Sequence, residues 1–267
     1  MDRNRKIDIM GIVNLTDDSF YPGSRCAGVD DALDLALNHV EGGASIIDVG
    51  ACSSRPGSLP VGPDEEWKRL KPALRALRDA FPSVGISVDT CWSEVVEKVY
   101  DLIGDFVVND ISAGEDDPMM LKTVGKLGLS YVAMHKRGTP QQMLQLASYG
   151  DVTEEVFRYF MDFSDKAEEN GIADWIVDPG FGFAKTVEQN YELLRGLGRF
   201  LSLPGKRRIL VGVSRKSMIY KPLGITPEES LAPVQVVHLA ALQNGADILR
   251  VHDSAEASRT VALYHML

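Results

Sequence analysis

The chain has 267 residues, with 28 Lys and Arg against 38 Asp and Glu, for a formal charge of −10. Hydrophobic residues make up 45% and charged residues 25%, which is the balance of a globular chain and excludes a disordered one. The 3 cysteines, Cys26, Cys52 and Cys91, form no CxxC pair, which excludes a disulfide framework and argues against a structural zinc site. The acidity argues against general nucleic-acid binding, and no apolar run is long enough to cross a membrane. The short apolar stretch after the charged start meets Asn14, Asp17 and Asp18, too soon for a signal peptide. The expectation is a reduced, cytoplasmic, soluble protein.

Along the chain, short β-branched runs alternate with amphipathic helical segments. The runs are Ile7–Val13, Ser45–Gly50, Gly85–Asp89, Phe106–Ile111, Tyr131–His135, Trp175–Asp178, Ile209–Ser214 and Ile248–His252. Most are continuously apolar, as strands buried on both faces of a helix-covered parallel sheet are. Between the second and third runs, Trp67, Leu70, Leu74, Leu77 and Phe81 recur at steps of three and four and make one helical face. Pro72 is expected to kink that helix or start its second half. Asp151 with Glu154 reads as a helix N-terminus, as does Thr226-Pro227 with Glu229. Pro233 implies that the helix begun at Thr226 is short and a second starts there. Gly43, Gly171 and Gly245 stand just before strands, where a left-handed residue closes a helix. Eight such βα repeats in this length predict one domain over residues 1–267, a (β/α)8 barrel with long loops after its first two strands. An open doubly wound sheet would carry a Gly-rich fingerprint after strand one, and none is present.

In a barrel the chemistry sits at the C-terminal ends of the strands. Those ends carry Asn14; Asp48 and the Ser53–Gly57 loop; Asp89-Thr90; Asn109-Asp110; Met134-His135; Asp178-Pro-Gly-Phe-Gly-Phe183; Ser214-Arg-Lys-Ser217; and Arg250-Val-His-Asp253. Capping alone would account for Asp253, Asp110 and Thr90, and Arg215 fits a simple ion pair with a neighbouring carboxylate. His39, His238 and His265 lie on helical segments and read as structural or solvated. Polar residues ending all eight runs together point to a small-molecule site. Arg55, Arg215, Lys216, Arg250 and His252 form a basic cluster in an acidic chain, which suggests an anionic ligand group. Asp89, Asn109 and Asp178, placed deeper, suit a flat ring with adjacent N–H donors. A heterocycle with a phosphorylated tail satisfies both halves.

Ordered motifs complete the reading: Met10-Gly-Ile-Val-Asn14 with Asp18-Ser-Phe20, Ile47-Asp-Val-Gly50, Ser53-Ser-Arg-Pro-Gly57, Ser87-Val-Asp-Thr90, Val108-Asn-Asp-Ile-Ser-Ala-Gly114, Met134-His135 with Gly138-Thr-Pro140, Asp178–Phe183, Val213-Ser-Arg-Lys-Ser217 and Ala246–Asp253. With these the sequence resembles the dihydropteroate synthase family of the folate pathway, from Ile9 to about Val261. The resemblance implies a (β/α)8 barrel that joins 6-hydroxymethyl-7,8-dihydropterin diphosphate to 4-aminobenzoate, giving 7,8-dihydropteroate and diphosphate. It also implies magnesium, a homodimer and inhibition by sulfonamides. By the same resemblance, Asp89, Asn109, Asp178 and Lys216 hold the pterin, with Arg250 stacked on the ring. Asn14, Arg55, Arg250 and His252 meet the diphosphate, Asn14 beside the metal. Ser54, Pro56, Phe183, Lys216 and Ser217 shape the aminobenzoate site, with Ser217 at a helix N-terminus suited to the benzoate carboxylate. Lys216, Arg250, Asp89 and Asp178 form the expected catalytic set.

Four positions depart from the family pattern: Asp17 stands for Pro, Pro22 for Asp, Cys52 for Glu and Ser54 for Thr. They bear on the first two loops rather than on the fold or the pterin site. Three rival readings share the barrel. One is a pterin-binding methyltransferase, one a lyase using Lys216 as a Schiff base, and one a pterin-binding protein without turnover. The Ser214–Ser217 and Ser53–Gly57 segments favour the synthase.

Overall fold

The computed structural model describes residues 5–15, 26, 28–52, 61–138, 142–143 and 145–267. Eight parallel strands close on themselves in chain order, β1 pairing with both β2 and β8. The strands are β1 Asp8–Asn14, β2 Ile46–Gly50, β3 Gly85–Asp89, β4 Val107–Asp110, β5 Ser130–Met134, β6 Trp175–Asp178, β7 Arg208–Val211 and β8 Ile248–Val251. The helices around them are α1 Val29–Glu41, α2 Pro63–Ala80, α3 Ser93–Ile103, α4 Met120–Leu127, α5 Val152–Glu169, α6 Val187–Arg195, α7 Ser217–Leu223, α8 Leu231–Gln243 and α9 Ser254–Met266. The eightfold βα rhythm of the sequence is thus the fold, with α7 as a short extra helix after β7.

The local signals act as their chemistry requires. The Asp151 carboxylate accepts the Glu154 N–H at 2.9 Å and starts α5. Thr226 and Glu229 cap one another reciprocally, a 3-10 turn follows over Glu228–Ser230, and α8 starts at Leu231, two residues before Pro233. Gly43, Gly171 and Gly245 have φ of +94°, +74° and +109°. The helix α2 differs from expectation, for it runs through Pro72 as one element. Both Pro72 and Lys68, whose carbonyl loses its donor, face solvent, where water can take the place of the missing N–H.

Most of the buried apolar side chains pack between the strands and the helices, including Leu70, Leu74, Leu77, Phe160 and Trp175. A second, smaller cluster lies inside the barrel: Met10, Val132, Ile176, Leu210 and Ile248, flanked by Ile46 and Val107. These residues share the inward parity of their strands. Gly11 has the outward parity, and a Cβ there would lie 2.5 Å from His39 Cγ. Its absence lets His39 lie against β1, with Nε2 3.0 Å from the Ile12 carbonyl and Nδ1 2.7 Å from Ser254 Oγ. His39 is a structural histidine, as its helical position implied.

Candidate active site

Two-residue steps along each strand carry the inward parity from the apolar cluster to the upper rim. From Ile46 they reach Asp48 and Gly50; from Val107, Asn109; from Ile176, Asp178; from Ile248, Arg250; from Met10, Ile12 and then Asn14. Ser87 and Asp89 share this parity on β3, since Ser87 pairs with Asp48 and Asp89 with Gly50 and Asn109. The barrel interior is therefore apolar below and polar above, and the expected ring-holding residues occupy the polar layer.

The hub of that layer is Asp48, which is 0% exposed. Its Oδ1 accepts the Ser87 hydroxyl at 2.6 Å, and its Oδ2 accepts Arg250 Nε at 2.7 Å. The amide of Asn109 donates to both carboxylate oxygens at 3.2 Å. Arg250 also reaches Asp89 at 3.2 Å. One buried carboxylate thus fixes two expected ligand-binding side chains, and with its N–H2 committed to Asp48, Asn109 has its acceptor oxygen left for other partners. The sequence reading gave Asp48 a place on the rim but no role. Its signal was a charged residue of inward parity inside an apolar run. Burial pushes the Asp89 and Asp178 carboxyls above their ordinary range, opposed by Arg250 at Asp89 and by Lys216 at Asp178.

The loop after β6 supplies one wall. Gly180 has φ +71°, and a Cβ on it would lie 1.9 Å from the His135 carbonyl, so only glycine fits. The Gly180 N–H donates to Asp178 Oδ1 at 2.8 Å. Lys216, half-buried at the start of α7, donates to the Phe181 carbonyl at 2.6 Å, and its Nζ lies 4.9 Å from the Phe183 ring centre. Burial, with Arg250 nearby, pushes its pKa down to about 8, while Asp178 pulls the other way. Ser217 is the first residue of α7.

The basic cluster is smaller than the sequence reading made it. Arg215 turns away into a 2.7 Å ion pair with Asp253 and is 6% exposed. Burial pushes His252 well below its ordinary pKa, helped by Arg250 and Arg215, so it faces the site as a neutral ring with Nδ1 3.1 Å from Ser214 Oγ. Among the described residues, Lys216 and Arg250 are the cations of the polar layer's upper side. Arg55, Ser54 and Pro56, and the departures Asp17 and Pro22, lie outside the described residues. Asp110 is structural but caps no helix: it accepts the Ser112 and Gly114 N–H groups of the turn after β4 and the Tyr131 hydroxyl, while α4 begins only at Met120. The departure at Cys52 has a partner, for its thiol donates to the buried Glu66 at 2.8 Å. Burial and that carboxylate push the thiol far up, so it stays protonated.

No group of three or more His, Cys, Asp or Glu able to hold a metal occurs among the described residues. Asn14 nevertheless fits magnesium of the kind that arrives with phosphates and takes few protein ligands. Gly50 leaves a cradle there: a Cβ on it would lie 3.5 Å from Asn14 Oδ1 and 3.3 Å from Asp89 Cβ. An amide oxygen thus stands beside the carboxylate end of the site.

The model of the "Pterin binding enzyme" family matches residues 10–252, and the chain belongs to that family. Within it, the chain is similar to the dihydropteroate synthase of Escherichia coli K12, at 40% identity over 95% of this chain and 90% of the relative. Among solved structures, it is similar to Yersinia pestis dihydropteroate synthase in complex with a sulfonamide drug, with a TM-score of 0.92 and 33% identity over 100% of this chain and 95% of that one. The Thermus thermophilus dihydropteroate synthase in complex with 4-aminobenzoate gives a TM-score of 0.86 and 33% identity, covering 100% of this chain and 96% of that one.

Proposed function

We propose that this chain catalyses the dihydropteroate synthase reaction. The observation that carries the reading is the acceptor-rich inward layer of Asp48, Asp89, Asn109 and Asp178, with Arg250 and Lys216 above it, in a chain of the pterin-binding family. A pterin edge offers ring and amino N–H donors, which carboxylates and an amide oxygen accept. Lys216 supplies the complementary donor for a ring carbonyl. The dihydropterin diphosphate lies with its ring on this layer and its diphosphate toward Arg250, His252 and Asn14. The C–O bond at the pterin methylene breaks, the electron-rich dihydropterin spreads the positive charge, and the aminobenzoate nitrogen bonds to that carbon and sheds one proton. Magnesium, held by Asn14 and the diphosphate, would neutralise charge on the leaving group. Phe183, Lys216 and Ser217 form the aminobenzoate side, to which the family resemblance adds Ser54 and Pro56, outside the described residues; the cation must be kept from water until the aminobenzoate reaches it.

We also carry a cytoplasmic setting and a homodimer as expectations. Exposed Val236, Leu263 and Met266 on the neighbouring helices α8 and α9 offer apolar area for a partner copy. No helix among the described residues is long and apolar enough to cross a membrane.

The test is purified protein with magnesium, dihydropterin diphosphate and 4-aminobenzoate. Aminobenzoate-dependent diphosphate release with dihydropteroate formed is the expected result, and pterin binding without product would overturn it. Asp178→Asn keeps the shape and removes the charge. It should weaken dihydropterin affinity about 10- to 100-fold by calorimetry, and unchanged affinity would remove Asp178 from the ring site. The Lys216 ammonium is the donating form, and it is present below its pKa. Turnover should therefore fall as the pH rises through about 8, and a profile flat to pH 10 would contradict a charged Lys216 in the reaction.

A further inference from the structure

Lys185 lies between Phe183 and the start of α6 and is 4% exposed. Its Nζ donates to the Gly180 carbonyl at 2.9 Å and the Phe183 carbonyl at 3.1 Å, and it lies 3.1 Å from His135 Nδ1. Burial, with Lys185 and Arg137 nearby, pushes the His135 pKa down to about 2, so that ring is neutral and its Nδ1 is an acceptor. An ammonium has three N–H donors, and here it meets three acceptors. Burial pushes the Lys185 pKa down to about 7 while Asp178 pulls it back. The three-acceptor cage matches the charged form.

What the cage closes is the loop that β6 does not control. The strand ends at Asp178, and the chain then takes positive φ at Gly180, Gly182 and Ala184, the last at +49°. A left-handed alanine costs about 1–3 kcal/mol and persists only where its surroundings impose it. Lys185 imposes it from one side. Asn190 of α6 does so from the other, accepting the Gly182 N–H at 2.7 Å and donating to the Thr186 carbonyl at 2.6 Å. This loop carries the Phe181 carbonyl that takes Lys216 and the Phe183 ring beside it.

We propose that Lys185 is a positioning residue for the aminobenzoate half of the site: its ammonium clamps the Gly180 and Phe183 carbonyls and so sets where the Phe183 ring and the Phe181 carbonyl stand. This role rests on the reaction proposed above. Most of the pterin layer is anchored away from this loop, since Asp48, Asp89, Asn109 and Arg250 sit on β2, β3, β4 and β8; Asp178 is set by the end of β6 and meets the loop only at the Gly180 N–H, and Lys216 meets it at the Phe181 carbonyl.

Lys185→Met keeps the length and removes all three donors. The KM for 4-aminobenzoate should rise about tenfold or more, while that for dihydropterin diphosphate changes less than about threefold. Amide hydrogen exchange should quicken in peptides covering residues 179–190 and stay unchanged in those of β2, β3 and β4. A merely stabilising lysine would lower the melting temperature and the active fraction and leave both KM values and the local exchange unchanged, and that result overturns the proposal. If Lys185→Met does not fold, Lys185→Gln, with two donors on a shorter arm, should show the same pattern to a smaller degree, and its absence there overturns the proposal equally. If the unaltered protein forms no product, the reaction reading fails by itself. Local exchange and calorimetric 4-aminobenzoate affinity then judge the clamp without turnover.

Discussion

Lys216→Met is expected to lower kcat/KM by about 10²–10³-fold, equivalent to about 2.7–4 kcal/mol of transition-state stabilisation. The substitution keeps the aliphatic stem, which a Cβ on Gly182 would approach to 3.2 Å at Lys216 Cδ, and deletes the ammonium held by the Phe181 carbonyl. The stem packs as before and Lys216 is only half-buried, so the melting temperature should move little. Steady-state kinetics beside a thermal melt separates the two effects. Near-normal kinetics in a folded variant would take Lys216 out of the reaction and leave Arg250 as the described cation of the polar layer's upper side.

The second large effect is expected at Asp48. Asp48→Asn removes the charge that meets the Arg250 guanidinium at 2.6 Å and sets an amide against the Asn109 amide that now donates to it. Stripping one partner from a buried ion pair leaves the other charge under-compensated, at a cost of about 3 kcal/mol, the lower end because Asp89 still touches Arg250. That corresponds to a fall in melting temperature of about 6–12 °C for a chain of this size. Dihydropterin affinity should fall about 100-fold as Arg250 and Asn109 lose their fixed orientation. An unchanged melt with unchanged affinity would show that Asp89 alone holds Arg250.

The sequence made the barrel readable because its strands are buried on both faces and its helix ends carry their own punctuation. Asp151, Thr226 and Gly245 each stand where the chain turns. The positions proposed to hold the ring were legible for a related reason, since they end apolar runs. Four things escaped. Asp48 has its role only through Arg250 and Asn109, which lie far along the chain and meet it by closure of the sheet. Lys185 drew no attention in the sequence, since its burial comes from two backbone carbonyls and the His135 ring that the fold brings around it. His252 counted as an anion-binding cation because its burial has no mark in a sequence; Arg215 was placed in the same cluster, and its alternative reading as an ion-pair partner is the one that holds, with Asp253. The unbroken α2 was missed because the proline signal says nothing about which face meets water.

The apolar cluster of Met10, Val132, Ile176, Leu210 and Ile248 beneath the polar layer also governs traffic. A barrel stopped at its floor has one door. Whatever rests on Asp48, Asn109 and Asp178 must enter through the rim, and whatever settles above it bars its exit. In the proposed reaction the deep ligand would then board first and the shallow one second, an order set by a plug of five side chains at the far end of the strands.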